Sequence, residues 1–151
     1  MVKQKQQNQQ VTELEIEVNK LLKKLENNCL SQIKLRDLVA PDGHAANIAK
    51  KLKKKQVKIT QLRKLFNEIK NICVKVRDKK ISLENAQTQL WLLYPKITYA
   101  KSRKLLPPEL EKLFLKVLES VDNCNKPEDY EYLDHFFSAL IAYAKAFGKA
   151  E

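Results

Sequence analysis

The sequence is poor in the residues that break regular structure, with two glycines and five prolines in 151 residues. A β fold with many tight turns needs more of both, so this composition favours long helices. No apolar run approaches the length of about 18 residues that a membrane-spanning helix requires. The length fits a single domain with one continuous core. We therefore predict an all-α, single-domain helical bundle of about six helices and no membrane association.

The cysteines are few and widely spaced. The chain has three cysteines, Cys29, Cys73 and Cys124. No two of them form a CxxC motif, and no pair of histidines lies nearby in the sequence. This spacing predicts neither a disulfide framework nor a zinc site. Cys73 falls on an apolar helical face, where a free thiol is typical of a small buried side chain in a reducing compartment. A polar, glutamine-rich beginning does not resemble a secretion signal. The sequence thus predicts a cytoplasmic protein.

The sequence also offers little for catalysis. Its two histidines, His44 and His135, stand in no recognisable motif, and a surface or structural role is the better interpretation of both. The acidic residues 128–134 fit a helix N-terminus and its solvated face. No glycine-rich phosphate loop is present. We predict a non-enzymatic protein with no catalytic residue, no metal and no cofactor.

Apolar residues recur at helical spacing along most of the chain. Residues 1–10 are predicted to be a disordered tail, and 11–151 the helical domain. A first helix contains Val11, Leu14, Val18, Leu21 and Leu25, which favours core packing over a coiled coil. Thr60 and Ser82 are predicted helix N-caps, and Pro95 the beginning of a separate helix over 95–104. Trp91 and Tyr99 are expected to be buried, as large aromatics at helical spacing usually are.

Positive charge dominates the first half of the chain. Residues 1–80 hold 20 Lys and Arg against 8 Asp and Glu, whereas residues 81–151 hold 9 against 10. This asymmetry points to a polyanionic partner, because each cation on a phosphate releases condensed counterions. A lysine-rich solvated surface is the alternative. The predicted phosphate-binding residues on two adjacent helices are Lys50, Lys51, Lys54, Arg63, Lys64 and Lys70.

Three segments, in this order, resemble the small helical subunit of the type III-A CRISPR effector, the Csm complex. The first joins Ala45–Lys50 to the run Ile59-Thr60-Gln61-Leu62-Arg63-Lys64-Leu65-Phe66. The second is Tyr99-Ala100-Lys101-Ser102-Arg103, similar to the family's Tyr-Ala-x-x-Arg. The third is Ala142-Tyr143-Ala144-Lys145-Ala146-Phe147-Gly148. Together they cover about residues 44–148.

This resemblance implies a helical bundle present in several copies along a crRNA-guided complex for antiviral defence. Its expected partners are crRNA, single-stranded target RNA, other Csm subunits and copies of itself. Base pairing supplies sequence specificity and other subunits cut, a division of labour similar to that of other RNA-guided effectors. The resemblance implies RNA contacts at Arg63, Lys64, Lys101, Arg103 and Lys145.

Two other interpretations compete with RNA binding. The two helices around residues 55–58 have the order of a helix-turn-helix, which places its second helix in the major groove of DNA. Alternatively, the helix at 11–25 docks on a partner and the charge only keeps a scaffold in solution. Nucleic-acid preference and salt dependence separate the three interpretations.

Overall fold

The computed structural model describes residues 11–55 and 57–148, apart from the side chain of Lys54. The tail predicted at residues 1–10 lies outside them. Within the described residues the chain has no strand, which confirms the all-α prediction. The helices are α1 (Glu13–Leu25), α2 (Leu35–Val39), α3 (His44–Leu52), α4 (Ile59–Arg77), α5 (Leu83–Ser102), α6 (Pro108–Cys124) and α7 (Pro127–Phe147). Six of these are nine residues or longer, and 3-10 turns cover Leu30–Gln32 and Lys53–Lys55.

The last helix, α7, is the centre of the bundle. It packs on α2, α3, α4 and α6, while α1 joins α3 to α6, and α5 joins α6 to α4. Contacts between neighbouring helices therefore run in the order α3, α1, α6, α5, α4, and of these α3, α6 and α4 lie directly against α7. The central position follows from the sequence of α7, because apolar residues occur on more than one side of it. Among them Tyr130, Leu133, Phe136, Phe137 and Leu140 are fully buried.

Aromatic rings fill the middle of the core. The Phe137 ring stacks on Phe114 of α6 with centroids 4.7 Å apart, and the Phe136 ring meets it edge-on at 5.1 Å. Phe66 of α4 approaches the same ring at 6.3 Å. Offset and edge-on pairs stabilise a core beyond the area that they bury. Phe137 thus connects α7 with α6, which precedes it in the chain, and with the more distant α4.

The first helix confirms the predicted core packing except at Val11, which precedes the helix and is 54% exposed. Leu14, Val18 and Leu21 are buried against α3 and α6 of the same chain. Thr12 is the N-cap, and its hydroxyl accepts a hydrogen bond from the Glu15 N–H at 3.0 Å. The apolar stripe that the scaffold interpretation assigned to a partner is therefore occupied within the chain.

Two helix boundaries differ from the prediction. Ser82 caps α5 as expected, accepting from the Asn85 N–H at 3.0 Å. The prediction for Thr60 is wrong, since α4 begins at Ile59 with Lys58 as N-cap. The predicted break at Pro95 is also wrong, because α5 runs through it to Ser102. Pro95 lies on the exposed face, where water can hydrate the Trp91 carbonyl that the missing N–H leaves without a helical partner.

The expected burial of Trp91 and Tyr99 is wrong as well. Trp91 is 48% exposed and Tyr99 61% exposed. Helix α5 packs on α4 and α6 through Ala86, Leu90, Leu93 and Ile97, so one stripe fills its share of the core. Both aromatics lie outside that stripe.

The cysteine prediction is half right. Cys73 is a buried free thiol, as expected. Burial raises its pKa far above the ordinary value for a thiol, so the group stays protonated and unreactive. Cys29 and Cys124, by contrast, form a disulfide across 95 residues with their Cα atoms 5.9 Å apart. Such a pairing is a tertiary contact that sequence spacing does not reveal.

A close backbone approach requires glycine at position 43. A turn precedes α3, with the Gly43 N–H donating to the Ala40 carbonyl at 2.8 Å. A Cβ added to Gly43 lies 2.5 Å from the Asp37 carbonyl oxygen and 3.1 Å from that of Ala40. Both neighbours are backbone atoms, so relieving the clash would require a shift of the backbone that costs free energy.

Gly43→Ala is expected to lower the free energy of unfolding by about 1–3 kcal/mol, the usual cost of overpacking. Urea denaturation followed by circular dichroism measures the loss. Ala40→Gly is a useful control, because it removes a methyl group from the same turn without creating a clash. Equal stability of Gly43→Ala and the parent protein would contradict the close approach.

Candidate nucleic-acid interface

Five helix termini meet at one end of the bundle. The end of α3, the beginning of α4 and the end of α7 line one small cavity through Leu52, Ile59, Ala144 and Gly148. The end of α5 adjoins the beginning of α4 across a groove. The carboxyl ends of three helices therefore converge with the amino ends of α4 and α6. Basic side chains are favoured near helix carboxyl ends, where the backbone carbonyls carry partial negative charge.

The groove between α4 and α5 is lined by lysines. Its volume is about 600 Å³. Lys55 and Lys58 lie on one side, and Lys101 and Lys104 on the other. Lys58, Lys101 and Lys104 are exposed, and among the described residues none of the three has an ion-pair partner. We call this groove with its surrounding lysines the basic end. Its charge and openness suit an extended polyanion.

One buried carboxylate anchors a wall of the groove. Glu109 Oε2 accepts hydrogen bonds from the Thr12 hydroxyl at 2.7 Å and from Lys55 Nζ at 2.9 Å. Burial alone raises the pKa of Glu109, but these two hydrogen bonds, a backbone hydrogen bond and the charge of Lys55 together hold the pKa below its ordinary value. The ionised carboxylate therefore ties the N-cap of α1 to the lysine turn before α4.

The anchor at Glu109 predicts an acid-dependent loss of stability. Because the folded pKa is lower than the unfolded value of 4.5, the stabilisation is complete above that pH and is lost as pH falls through the folded pKa. At pH 7 we expect Glu109→Gln to be less stable by about 1.5–3 kcal/mol, the range for hydrogen bonds to a charged group. Measured from pH 7 to pH 2, the difference in the free energy of unfolding between the parent protein and Glu109→Gln should shrink. A difference that stays constant with pH would contradict a stabilising ionised Glu109.

Two of the predicted lysines on α3 lie beside other side chains of the bundle. Lys50 is exposed, and its ammonium lies 5.9 Å from the centroid of the Phe147 ring. Lys51 is half-buried and 3.5 Å from a carboxylate oxygen of Glu13. Lys54 belongs to the turn Lys53–Lys55, but its side chain lies outside the described part of the structure.

The three predicted residues on α4 divide between two environments. Arg63 and Lys64 are exposed one turn after the helix begins, and no ion pair holds either within the described residues. Lys70 instead donates to Asp134 of α7 at 3.0 Å and lies over the Phe66 ring. At 1.5 Å per residue it is about 16 Å along the helix from Ile59. Arg63 and Lys64 thus adjoin the basic end, and Lys70 is away from it.

The Tyr-Ala-x-x-Arg segment forms a stacked pair at the end of α5. The Arg103 guanidinium lies 5.7 Å from the centroid of the Tyr99 ring, and its Nη1 donates to the Tyr99 hydroxyl at 3.2 Å. Both side chains are exposed, as is Lys101 between them. Aromatic rings held in this way can stack on unpaired bases.

The last segment of the resemblance is largely structural. The Tyr143 hydroxyl donates to the Val39 carbonyl at 2.7 Å, and its ring stacks on Phe147 at 5.8 Å. These contacts fasten the end of α7 to α2. Lys145 is exposed on the same turns. Of this segment, Lys145 is therefore the residue placed to meet a ligand.

Sequence reasoning missed three lysines of the groove. These are Lys55 and Lys58, between the two predicted helices, and Lys104, at the end of the predicted helix over 95–104. The available signal was their position at helix termini, but which termini meet is decided by tertiary packing. The histidines remain apart from the groove: His135 is exposed and 3.6 Å from Glu131, while burial, with help from Lys24, lowers the pKa of His44.

The fold and the groove define a small all-helical protein with one strongly basic end. Comparison with protein-family models is more specific. The Csm2 Type III-A model matches residues 32–150, well over half of the chain. The chain belongs to the Csm2 family and is a small subunit of the type III-A CRISPR (Csm) complex.

This match confirms the resemblance and extends it towards the N-terminus from about residue 44 to residue 32. Searches of curated proteins and of solved structures gave no significant match. Among the described residues, no helix is long and apolar enough to span a membrane.

Proposed function

We propose that this small subunit is a non-catalytic, cytoplasmic RNA-binding protein whose basic end contacts the backbones of crRNA and single-stranded target RNA. The observation that carries the proposal is the meeting of α4 and α5 at a groove lined by Lys55, Lys58, Lys101 and Lys104. Arg63, Lys64, Arg103 and Lys145 extend the charge around it. The other partners proposed are further Csm subunits and additional copies of this chain.

The composition of the groove favours backbone contacts over reading of bases. Lysine is a point charge on a flexible stem and binds a phosphate without selecting the base attached to it. Among the described lining residues, Gln61 and Ser102 are the uncharged polar side chains. Specificity then comes from base pairing between guide and target, and the subunit needs no chemistry of its own.

A titration of the chain with unrelated single-stranded RNAs and matched DNA duplexes, across a salt series, tests the proposal. We expect RNA binding that is indifferent to sequence and falls steeply with salt, because counterion release drives it. Binding that ignores salt, or no binding to RNA, would contradict the proposal and favour the scaffold interpretation.

The helix-turn-helix interpretation remains the second candidate. The observation that favours it is the exposed outer face of α4, where Thr60, Arg63, Lys64 and Asn67 point away from the core. A recognition helix needs such a face in the major groove. In the same titration it requires tighter binding to one particular duplex than to single-stranded RNA.

A further inference from the structure

Three metal-ligating side chains meet where α6 ends and α7 begins. The Sγ atoms of Cys29 and Cys124 and a carboxylate oxygen of Asp129 lie within 4.8 Å of one another. Both cysteines are half-buried, so solvent reaches them, whereas Asp129 is fully buried. Thiolates select soft or borderline cations, and two thiolates with one carboxylate suit Zn²⁺.

Asp129 is incompletely satisfied in the folded chain. Its Oδ1 accepts a hydrogen bond from the Ser31 N–H at 3.0 Å. Its Oδ2 is buried and has no hydrogen-bond partner among the described residues. A buried carboxylate oxygen without a partner is costly, and such groups in native proteins call for an explanation. The Asp129 carboxylate lies beside the two sulfurs, so a cation bound there would satisfy its free acceptor.

Hydrogen bonds hold the three ligands in place independently of the disulfide. The Cys29 N–H donates to Gln32 Oε1 at 2.6 Å. On the other side, the Tyr130 hydroxyl donates to Asn125 Oδ1 at 2.9 Å, next to Cys124. The Ser31–Asp129 bond then joins the two sides. The ligands therefore stay close together when the sulfur–sulfur bond is broken.

We propose that in the reduced protein Cys29, Cys124 and Asp129 bind one Zn²⁺ ion, with water as the fourth ligand. Reduction by a dithiol transfers two electrons and two protons to the disulfide, and the reductant itself becomes a disulfide. Zn²⁺ binding then releases both thiol protons to solvent. The inference is independent of RNA binding, because the site contains none of the groove lysines.

The geometry requires only a small adjustment. Tetrahedral coordination with Zn–S bonds of about 2.3 Å separates the two sulfurs by about 3.8 Å. The Cα atoms of Cys29 and Cys124 are 5.9 Å apart. With the backbone at this separation, rotation of both side chains can bring the sulfurs to the wider spacing that Zn²⁺ requires. Asp129 is the third residue of α7, where a negative ligand is also favoured by the helix dipole.

Zinc titration of the chain, kept reduced by a thiol-free phosphine, tests the site. Competition with a chromophoric chelator should show one Zn²⁺ per reduced chain and none on the oxidised chain. Cys29→Ser and Cys124→Ser should each lower affinity by more than about 100-fold, the upper range for loss of an outer-shell partner. Asp129→Asn retains an acceptor for the Ser31 N–H and should lower affinity at least about 10-fold.

Cys73→Ser is the matched control, since Cys73 is a buried thiol outside the site, and it should bind Zn²⁺ like the parent chain. Three results would each overturn the proposal. They are absence of Zn²⁺ on the reduced chain, equal binding by a Cys29→Ser, Cys124→Ser double variant, and unchanged affinity of Asp129→Asn.

Should Asp129→Asn fail to fold, the absorption spectrum of the parent chain with Co²⁺ decides. A spectrum with the absorption of two thiolates bound to cobalt supports the site. A spectrum without thiolate absorption refutes it.

Discussion

Phe137→Ala is expected to lower the free energy of unfolding by about 3–5 kcal/mol. The ring is fully buried and contacts the rings of Phe114, Phe136 and Phe66. Its deletion leaves a cavity where three helices meet, and those helices cannot all move inwards to fill it. For a chain of this size, the loss corresponds to a fall in melting temperature of roughly 6–20 °C. Urea denaturation in a fixed redox state measures it.

Phe147→Ala removes the same side chain from a less buried position. Phe147 stacks on Tyr143 at the end of α7 but remains partly exposed. Its loss should cost clearly less than that of Phe137, because water can enter the space. If both substitutions cost the same, Phe137 is not the centre of the core that its contacts indicate.

The second large effect is expected on RNA binding. A Lys58→Gln, Lys101→Gln, Lys104→Gln triple variant removes the three exposed charges of the groove. Each lost phosphate contact lowers the salt slope by about 0.7 for a single strand, so the slope should fall by about 2 in all. At 0.1 M salt this corresponds to an affinity loss of about 100-fold. Fluorescence anisotropy with several unrelated RNAs should show the same loss for each.

A matched control lies at the other end of the bundle. Lys79, Lys80 and Lys126 are exposed lysines around the end of α4 and the beginning of α7. Lys79 and Lys104 both have a positive φ, 58° and 62°, so each triple variant contains one left-handed residue. The control removes the same charge and should leave the slope nearly unchanged. If the two variants lose equal affinity, net charge rather than the groove drives binding.

Most helices were predictable from the sequence because each buries a periodic apolar stripe. The stripe of α4 from Leu62 to Val76 and that of α6 from Leu110 to Val121 both repeat at helical spacing and contain the buried residues of these helices. Pro95 was misinterpreted because a proline usually ends a helix, and its cost is low only where the affected carbonyl faces water. That exposure depends on the neighbours of α5, which periodicity does not specify.

The candidate site was predictable in composition but not in arrangement. Sequence reasoning found the basic half of the chain and, of the four lysines that line the groove, Lys101. It did not find Lys55, Lys58 or Lys104, because their proximity results from the packing of α4 against α5. The proximity of Cys29 to Cys124 and Asp129 likewise depends on how the turn before α2 packs on α7.

The convergence of helix ends at the basic end favours one orientation of the protein as it approaches a polyanion. Lysines gathered around the groove create a local positive potential, which draws a polyanion towards the basic end before any contact forms. Productive collisions then begin end-first, and rising ionic strength should slow association more than it speeds dissociation. The orientation of the subunit on a negatively charged strand is thereby selected during approach.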